Sequence, residues 1–377
     1  MKSKKSKYIT AFAALLAVGY GIGCTIRKEV IPNQRGKSPE ATALIGKLKY
    51  LSSKGCMFGH HDDTIYGIGW DGDSARSDVK SVCGDYPAII SFDLGHIEIN
   101  DFCTLDSVGF DKIRNEAVRQ HERGGIVSFS WHLRNPKTGG DSWDVSDSTV
   151  VASILPGGEN NEKFKLWLTR LGTFLNSITT GSGEKIPVLF RPWHEHTGAW
   201  FWWGADYCTP DEYKELWKMT VASLQAQGAD QLLYAYSPGG GYKDTTEYLE
   251  RYPGDEFIDL LGFDAYQFDR QEYIGEMARN LSVLNTVGEA HDKITAITET
   301  GFETIPDSVW WTQTLLPLLR KHPVAYVLVW RNAREKENHY YAPYPGQSSE
   351  NDFIRFYQDT LTLFASEVNT LCSNSVN

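Results

Sequence analysis

Eight short apolar runs rich in β-branched and aromatic residues alternate with longer amphipathic stretches, and this rhythm limits the fold more than any other feature. The runs are Cys56–Gly59, Ala88–Leu94, Gly125–Trp131, Pro187–Pro192, Leu232–Ser237, Leu260–Ala265, Ile294–Thr298 and Ala325–Trp330. Between them, Phe110–Glu122, Glu162–Ser177, Asp211–Gln227, Glu272–Val287 and Val309–Arg320 repeat apolar residues at helical spacing. Thr209-Pro210-Asp211-Glu212 reads as a helix start, with a capping residue, Pro at the first helical position and acids in the first turn. Strands alternating with helices imply βα units and a parallel sheet. Eight units predict a single closed (β/α)8 TIM barrel, with long loops accounting for a chain of 377 residues. The rival, a doubly wound open sheet, would want a Gly-rich phosphate turn after an early strand, and Gly-x-Gly-x-x-Gly is not expected.

The barrel is expected over residues 46–370. Ahead of it, residues 1–23 read as an export signal: Lys2, Lys4, Lys5 and Lys7 precede an apolar stretch from Tyr8 to Val18. That stretch is shorter than the roughly 20 apolar residues of a bilayer span. It closes on Gly21-Ile22-Gly23-Cys24, which resembles a lipoprotein cleavage box in which Cys24 becomes the lipidated first residue, although Gly21 stands where such boxes usually have Leu. Ordinary signal cleavage is the alternative. Residues 24–45 are expected to form a tether, polar from Thr25 to about Pro39. The expected location is the bacterial cell envelope, with a lipid anchor and a monomeric enzyme. Export permits one or two disulfides among the remaining cysteines, their pairing open. No Cys-x-x-Cys occurs, so neither a zinc site nor a thioredoxin-type motif is indicated.

The charge balance, 37 Lys+Arg against 48 Asp+Glu, argues against nucleic acid or an anionic membrane surface as partner and favours a neutral substrate. Chemistry-bearing residues gather where the strands end, which in a barrel is the active face. The first strand leads into Gly59-His60-His61-Asp62-Asp63, the second into Asp93-Leu94-Gly95-His96, and the third into Ser130-Trp131-His132. The fourth leads into Arg191-Pro192-Trp193-His194-Glu195-His196, followed by Trp200-Phe201-Trp202-Trp203. Asp264-Ala265-Tyr266, Thr298-Glu299-Thr300 and Trp330-Arg331-Asn332 close strands six, seven and eight. Glu195 and Glu299 would face each other from opposite sides of the ring, the pairing that glycosidic hydrolysis requires: one carboxylic acid protonates the leaving oxygen while the other carboxylate attacks. Exposed rings after strand four would stack on sugar faces. The competing reading is a metallohydrolase beginning at His60-His61-Asp62-Asp63, but strands five and six offer no His at their ends, and no metal or cofactor is expected.

Gly59-His60-His61-Asp62, Arg191-Pro192-Trp193-His194-Glu195, Phe263-Asp264-Ala265-Tyr266, Thr298-Glu299 and Val329-Trp330-Arg331 together resemble glycoside hydrolase family 26, over roughly residues 46–365. The resemblance implies a retaining β-mannanase acting on mannan, glucomannan or galactomannan, with Glu195 as acid/base and Glu299 as nucleophile. It further implies that His194 positions the acid/base, that Tyr266 bonds the nucleophile, and that Trp330 forms a sugar platform lined also by His132 and Trp200. Arg331 and His60 would be subsite contacts, with Trp131 and Trp143 as weaker candidates. The family also holds β-glucanases and xylanases, which leaves the sugar open. A non-catalytic glycan-binding protein would have replaced one of the two Glu, and both are present.

Overall fold

The computed structural model describes residues 36–374, so the export segment and Cys24 lie outside the described residues. Eight parallel strands form the frame: β1 (Cys56–His61), β2 (Ile89–Asp93), β3 (Ile126–Ser130), β4 (Val188–Arg191), β5 (Leu232–Tyr236), β6 (Leu260–Tyr266), β7 (Ile294–Gly301) and β8 (Tyr326–Val329). Each pairs with the next, and β8 pairs back onto β1, closing the barrel. Thr362–Leu363 adds a short ninth strand to β1.

Both faces of every strand are covered, which is why the runs read as continuous apolar segments. Met57, Ile89, Ile126, Leu189, Leu233, Ala296 and Leu328 belong to an inner cluster. Their alternating neighbours Phe58, Ile90, Val127, Phe190, Ile297 and Val327 pack outward among the helices. The helices fall where the apolar spacing put them: Phe110–Glu122, Asn161–Asn176, Pro210–Ala226 and Arg270–His291. Pro210–Ala226 starts on a capping box between Thr209 and Glu212. The stretch from Val309 departs from a uniform α-helix, since Trp311–Leu315 winds as a π turn before Leu316–Lys321.

Two expectations change. Part of the tether is folded: helix α1 (Pro39–Ser52) is capped by the Ser38 hydroxyl and buries Ala41, Leu44, Ile45, Leu48 and Leu51 in the inner cluster. Apolar spacing after Pro39 marks it as core-facing, so the described fold takes in residues 39–45. Gly67-Ile68-Gly69-Trp70-Asp71-Gly72 carries the glycine spacing of a phosphate turn, yet it folds as a hairpin of Tyr66–Gly67 and Trp70–Asp71. Gly67 serves close packing instead, as a Cβ there would lie 2.4 Å from Asp78 Oδ2. The five described cysteines are free thiols. No described helix is long and apolar enough to cross a membrane.

Candidate active site

β4 and β7 deliver their carboxylates by different devices. β4 leaves the sheet at Arg191, and the chain turns through left-handed backbone at Trp193 (φ 54°) and Glu195 (φ 52°). Such conformations cost non-glycine residues of order 1–3 kcal/mol and persist only where surroundings over-determine them. Here the surroundings do so. Tyr213 donates to the Trp193 carbonyl at 2.9 Å, Trp203 Nε1 to the His194 carbonyl at 2.8 Å, and the Glu195 amide to the Ser237 carbonyl at 2.8 Å.

β7 keeps its carboxylate inside the strand. Phe263 pairs with Ile297 but Asp264 pairs with Glu299, so one extra residue is accommodated on β7. Ile294 and Ala296 face inward, and simple alternation would send Glu299 to the helix side. The bulge re-aims it. Thr298 still bonds inward partners, Ser237 Oγ at 2.7 Å and Asp264 Oδ1 at 2.8 Å, while Thr300 turns out to the hydroxyl of Tyr273 at 2.7 Å.

The electrostatics of the two carboxyls differ as much as their backbones. Glu299 accepts from Arg191 Nη2 on one oxygen and from the Tyr266 hydroxyl on the other. Arg191 is itself buried and binds Asp264 Oδ2 at 2.7 Å. Glu195 receives one side-chain donor, Trp200 Nε1 at 2.6 Å. Burial, then the charges of Glu299 and Asp264, push its carboxyl well above the ordinary range, and the Trp200 bond and Arg191 offset this only in part. A pair so arranged can supply a neutral acid and a fixed carboxylate at one pH.

Behind them runs a histidine chain. His132 Nδ1 lies 2.7 Å from Asp93 Oδ2, and His132 Nε2 lies 3.0 Å from His194 Nε2. Burial works against a charge on His132, but Asp93 outweighs it and raises its pKa. Burial and Arg191 hold His194 neutral. Asp93, His132 and His194 thus form one hydrogen-bonded chain behind the acid.

Of the residues singled out from sequence, Glu195, Glu299, His132, His194, Trp200 and Tyr266 come together here. Trp330 joins them, its ring edge-on to His132 with centroids 5.9 Å apart. Trp143 stacks on His132 and is half-exposed at the mouth. The other expected contacts have protein partners of their own. His60 is 1% exposed and bonded to Asp63 at 2.7 Å on the outer side of β1. Its neighbour His61 lies in the inward phase of Met57 and stacks on Trp330 at 4.1 Å. Trp131 is core, donating to Glu98 Oε2 at 3.1 Å. Arg331 is held by Asp106 at 2.9 Å and Glu335 at 2.8 Å, tying loops together beside Trp330. Of the four rings after strand four only Trp200 is exposed, at 46%, while Phe201, Trp202 and Trp203 are buried beneath it. Arg191 and Asp264 prove central, and the signal for them is an Arg and an Asp closing apolar runs, where a charge is costly unless it is paired. Among the described residues no three His, Cys, Asp or Glu side chains converge as a metal site.

Comparisons with known proteins point to one family. The model of glycosyl hydrolase family 26 matches residues 33–342. A mannan endo-1,4-β-mannosidase of Bifidobacterium adolescentis is 32% identical over 89% of this chain, which spans only 36% of that relative's length. A solved family 26 β-mannanase from Bacteroides ovatus is 57% identical, with a TM-score of 0.87, 88% of this chain and 96% of that one being covered. A modular endo-β-1,4-mannanase from Cellulomonas fimi is 32% identical with a TM-score of 0.81, over 89% of this chain and 77% of that one.

Proposed function

The chain belongs to glycosyl hydrolase family 26, and from that premise we propose that it is a retaining β-mannanase that cleaves β-1,4-mannosidic bonds by double displacement. The observation carrying this reading is the contrast between the two carboxyls: Glu195 raised by burial and by its acidic neighbours, Glu299 gripped by Arg191 and Tyr266.

In the first half-reaction Glu299 attacks the anomeric carbon while Glu195 gives its proton to the departing glycosidic oxygen. The C–O bond to the leaving sugar breaks as the bond to Glu299 forms. In the second, Glu195, now ionised, takes a proton from water, whose oxygen displaces Glu299 and leaves the anomeric configuration unchanged. Tyr266 and Arg191 hold the nucleophile's lone pairs in place, Trp200 and the partly buried Trp330 offer ring faces to the sugar, and His194, fixed through His132, holds the turn carrying the acid. Mannan, glucomannan or galactomannan is the proposed substrate, supported by the named activities of the relatives above.

Product analysis on glucomannan, galactomannan, xylan and mixed-linkage β-glucan, with chelator present, tests this. Manno-oligosaccharides with retained configuration are expected. Release from xylan or β-glucan alone would replace the sugar, and activity that needs added metal would overturn the two-carboxylate mechanism. We further propose an envelope location, monomeric and anchored through Cys24, supported by the basic and apolar segment ahead of it. Cys24→Ala is expected to move the protein from the membrane fraction to the soluble one, and its retention there would refute the anchor.

A further inference from the structure

The loop after β8 folds back over the ends of β6 and β7, held by the Thr304 amide on the Tyr340 carbonyl at 2.9 Å, by His339 on Glu303 at 2.6 Å, and by the side chain of Asn332. Asn332 Oδ1 accepts from the amides of Tyr341 and Ala342, both at 2.9 Å. Its Nδ2 donates to the Ala342 carbonyl at 3.0 Å and to Asp78 Oδ2 at 2.9 Å. Asp78 is fixed in turn by Trp70 Nε1 at 2.7 Å and the Ile68 amide at 2.9 Å. The segment at 341–342 is thereby pinned to the rim of the barrel, and the Tyr341 ring is buried there.

That ring meets His339 edge-on, centroids 5.3 Å apart, and two groups beside the carboxylate of β7. Its edge packs on Tyr266, centroids 5.4 Å apart at 66°, the same Tyr266 whose hydroxyl donates to Glu299. It also fills the space above Gly301, where a Cβ would sit 2.3 Å from Tyr341 Cδ1. Glycine at the last residue of β7 lets the ring lie against the strand that carries Glu299. Tyr266 is the final residue of β6, so nothing of that strand continues beyond it to steady its ring. Tyr341 supplies the missing wall.

We propose that Tyr341, clamped by Asn332 and admitted by Gly301, is a positioning residue for the nucleophile: it holds Tyr266 in the orientation that donates to Glu299. The proposal rests on Glu299 being the nucleophile. Aromatic edge-to-face pairs contribute modestly in energy, but a displaced orienting group costs rate far more than it costs binding.

The test uses the whole protein and two readouts: kcat and KM on manno-oligosaccharides, and the rate of covalent labelling by an activated 2-deoxy-2-fluoro-β-mannosyl fluoride. In that reaction the carboxylate forms a bond to C1 and fluoride departs. Tyr341→Ala and Gly301→Ala are each expected to slow kcat and labelling together by about 10- to 100-fold, with KM within about twofold. Tyr341→Phe, which keeps the ring, should restore both. Labelling at the wild-type rate in a folded Tyr341→Ala or Gly301→Ala protein overturns the proposal, as does a change confined to KM. Should Tyr341→Ala fail to fold, Gly301→Ala and Tyr341→Phe still decide. Glu299→Ala run alongside separates the two failures: residual hydrolysis there would sink the nucleophile assignment itself, whatever Tyr341 does.

Discussion

The ends of β4 and β7 solve one problem in opposite ways. Glu299 stays in the sheet, aimed by a bulge and held at both oxygens by a guanidinium and a phenol. Glu195 stands four residues beyond its strand, on left-handed backbone, with a single indole donor that is itself half exposed. A nucleophile must be in one place, and rigidity serves it. An acid/base must change its protonation twice per cycle, and a carboxyl with one weakly buried partner can do so without breaking a network. The difference teaches that the tighter grip belongs to the group whose position matters more than its charge.

Removing Glu299 should break the comparison outright. Glu299→Ala is expected to lower kcat on mannan by ~10⁴-fold or more, read by reducing-sugar release, and full activity would end the assignment. Next comes the grip itself. Arg191→Met leaves Asp264 and Glu299 as uncompensated buried carboxylates, and breaking such a pair costs ~3–5 kcal/mol of stability. Urea unfolding monitored by Trp fluorescence should show that loss, and an unchanged midpoint would mean the cation does little. The smallest effect sharpens the other side. Trp200→Phe keeps the ring but removes the donor that favours ionised Glu195. The carboxyl's pKa then rises further, so the alkaline limb of kcat/KM, which needs Glu195 protonated, should move up by as much as about one pH unit. A limb moving down would show that the indole does not act on this group.

Much of this was legible before any coordinates. All eight strands begin within a residue of the expected runs, because a doubly covered strand is written as an uninterrupted apolar segment and helices announce their periodicity. The two Glu were visible as acids ending such segments. What stayed hidden turns on single residues. His60 and His61 are told apart only by the phase of β1, and the expected strand stopped at Gly59, one residue short of making that phase matter. The bulge at Thr298–Glu299 has no signature in Thr-Glu-Thr. Trp202 and Trp203 look like platform rings but sit beneath one, since four consecutive large residues on a turn must divide between surface and core.

Helix α1 has a consequence for how the enzyme meets its surroundings. It joins the inner cluster at the barrel's floor, and Lys37 just ahead of it bonds Asp259 at 2.7 Å and the Leu232 carbonyl at 3.0 Å, at the starts of β6 and β5. The polypeptide therefore enters at the pole opposite the carboxylates. Anything attached through the residues ahead of Lys37 would be attached at the floor, leaving the mouth free. A polymer can then come to the carboxylates from the side away from that attachment.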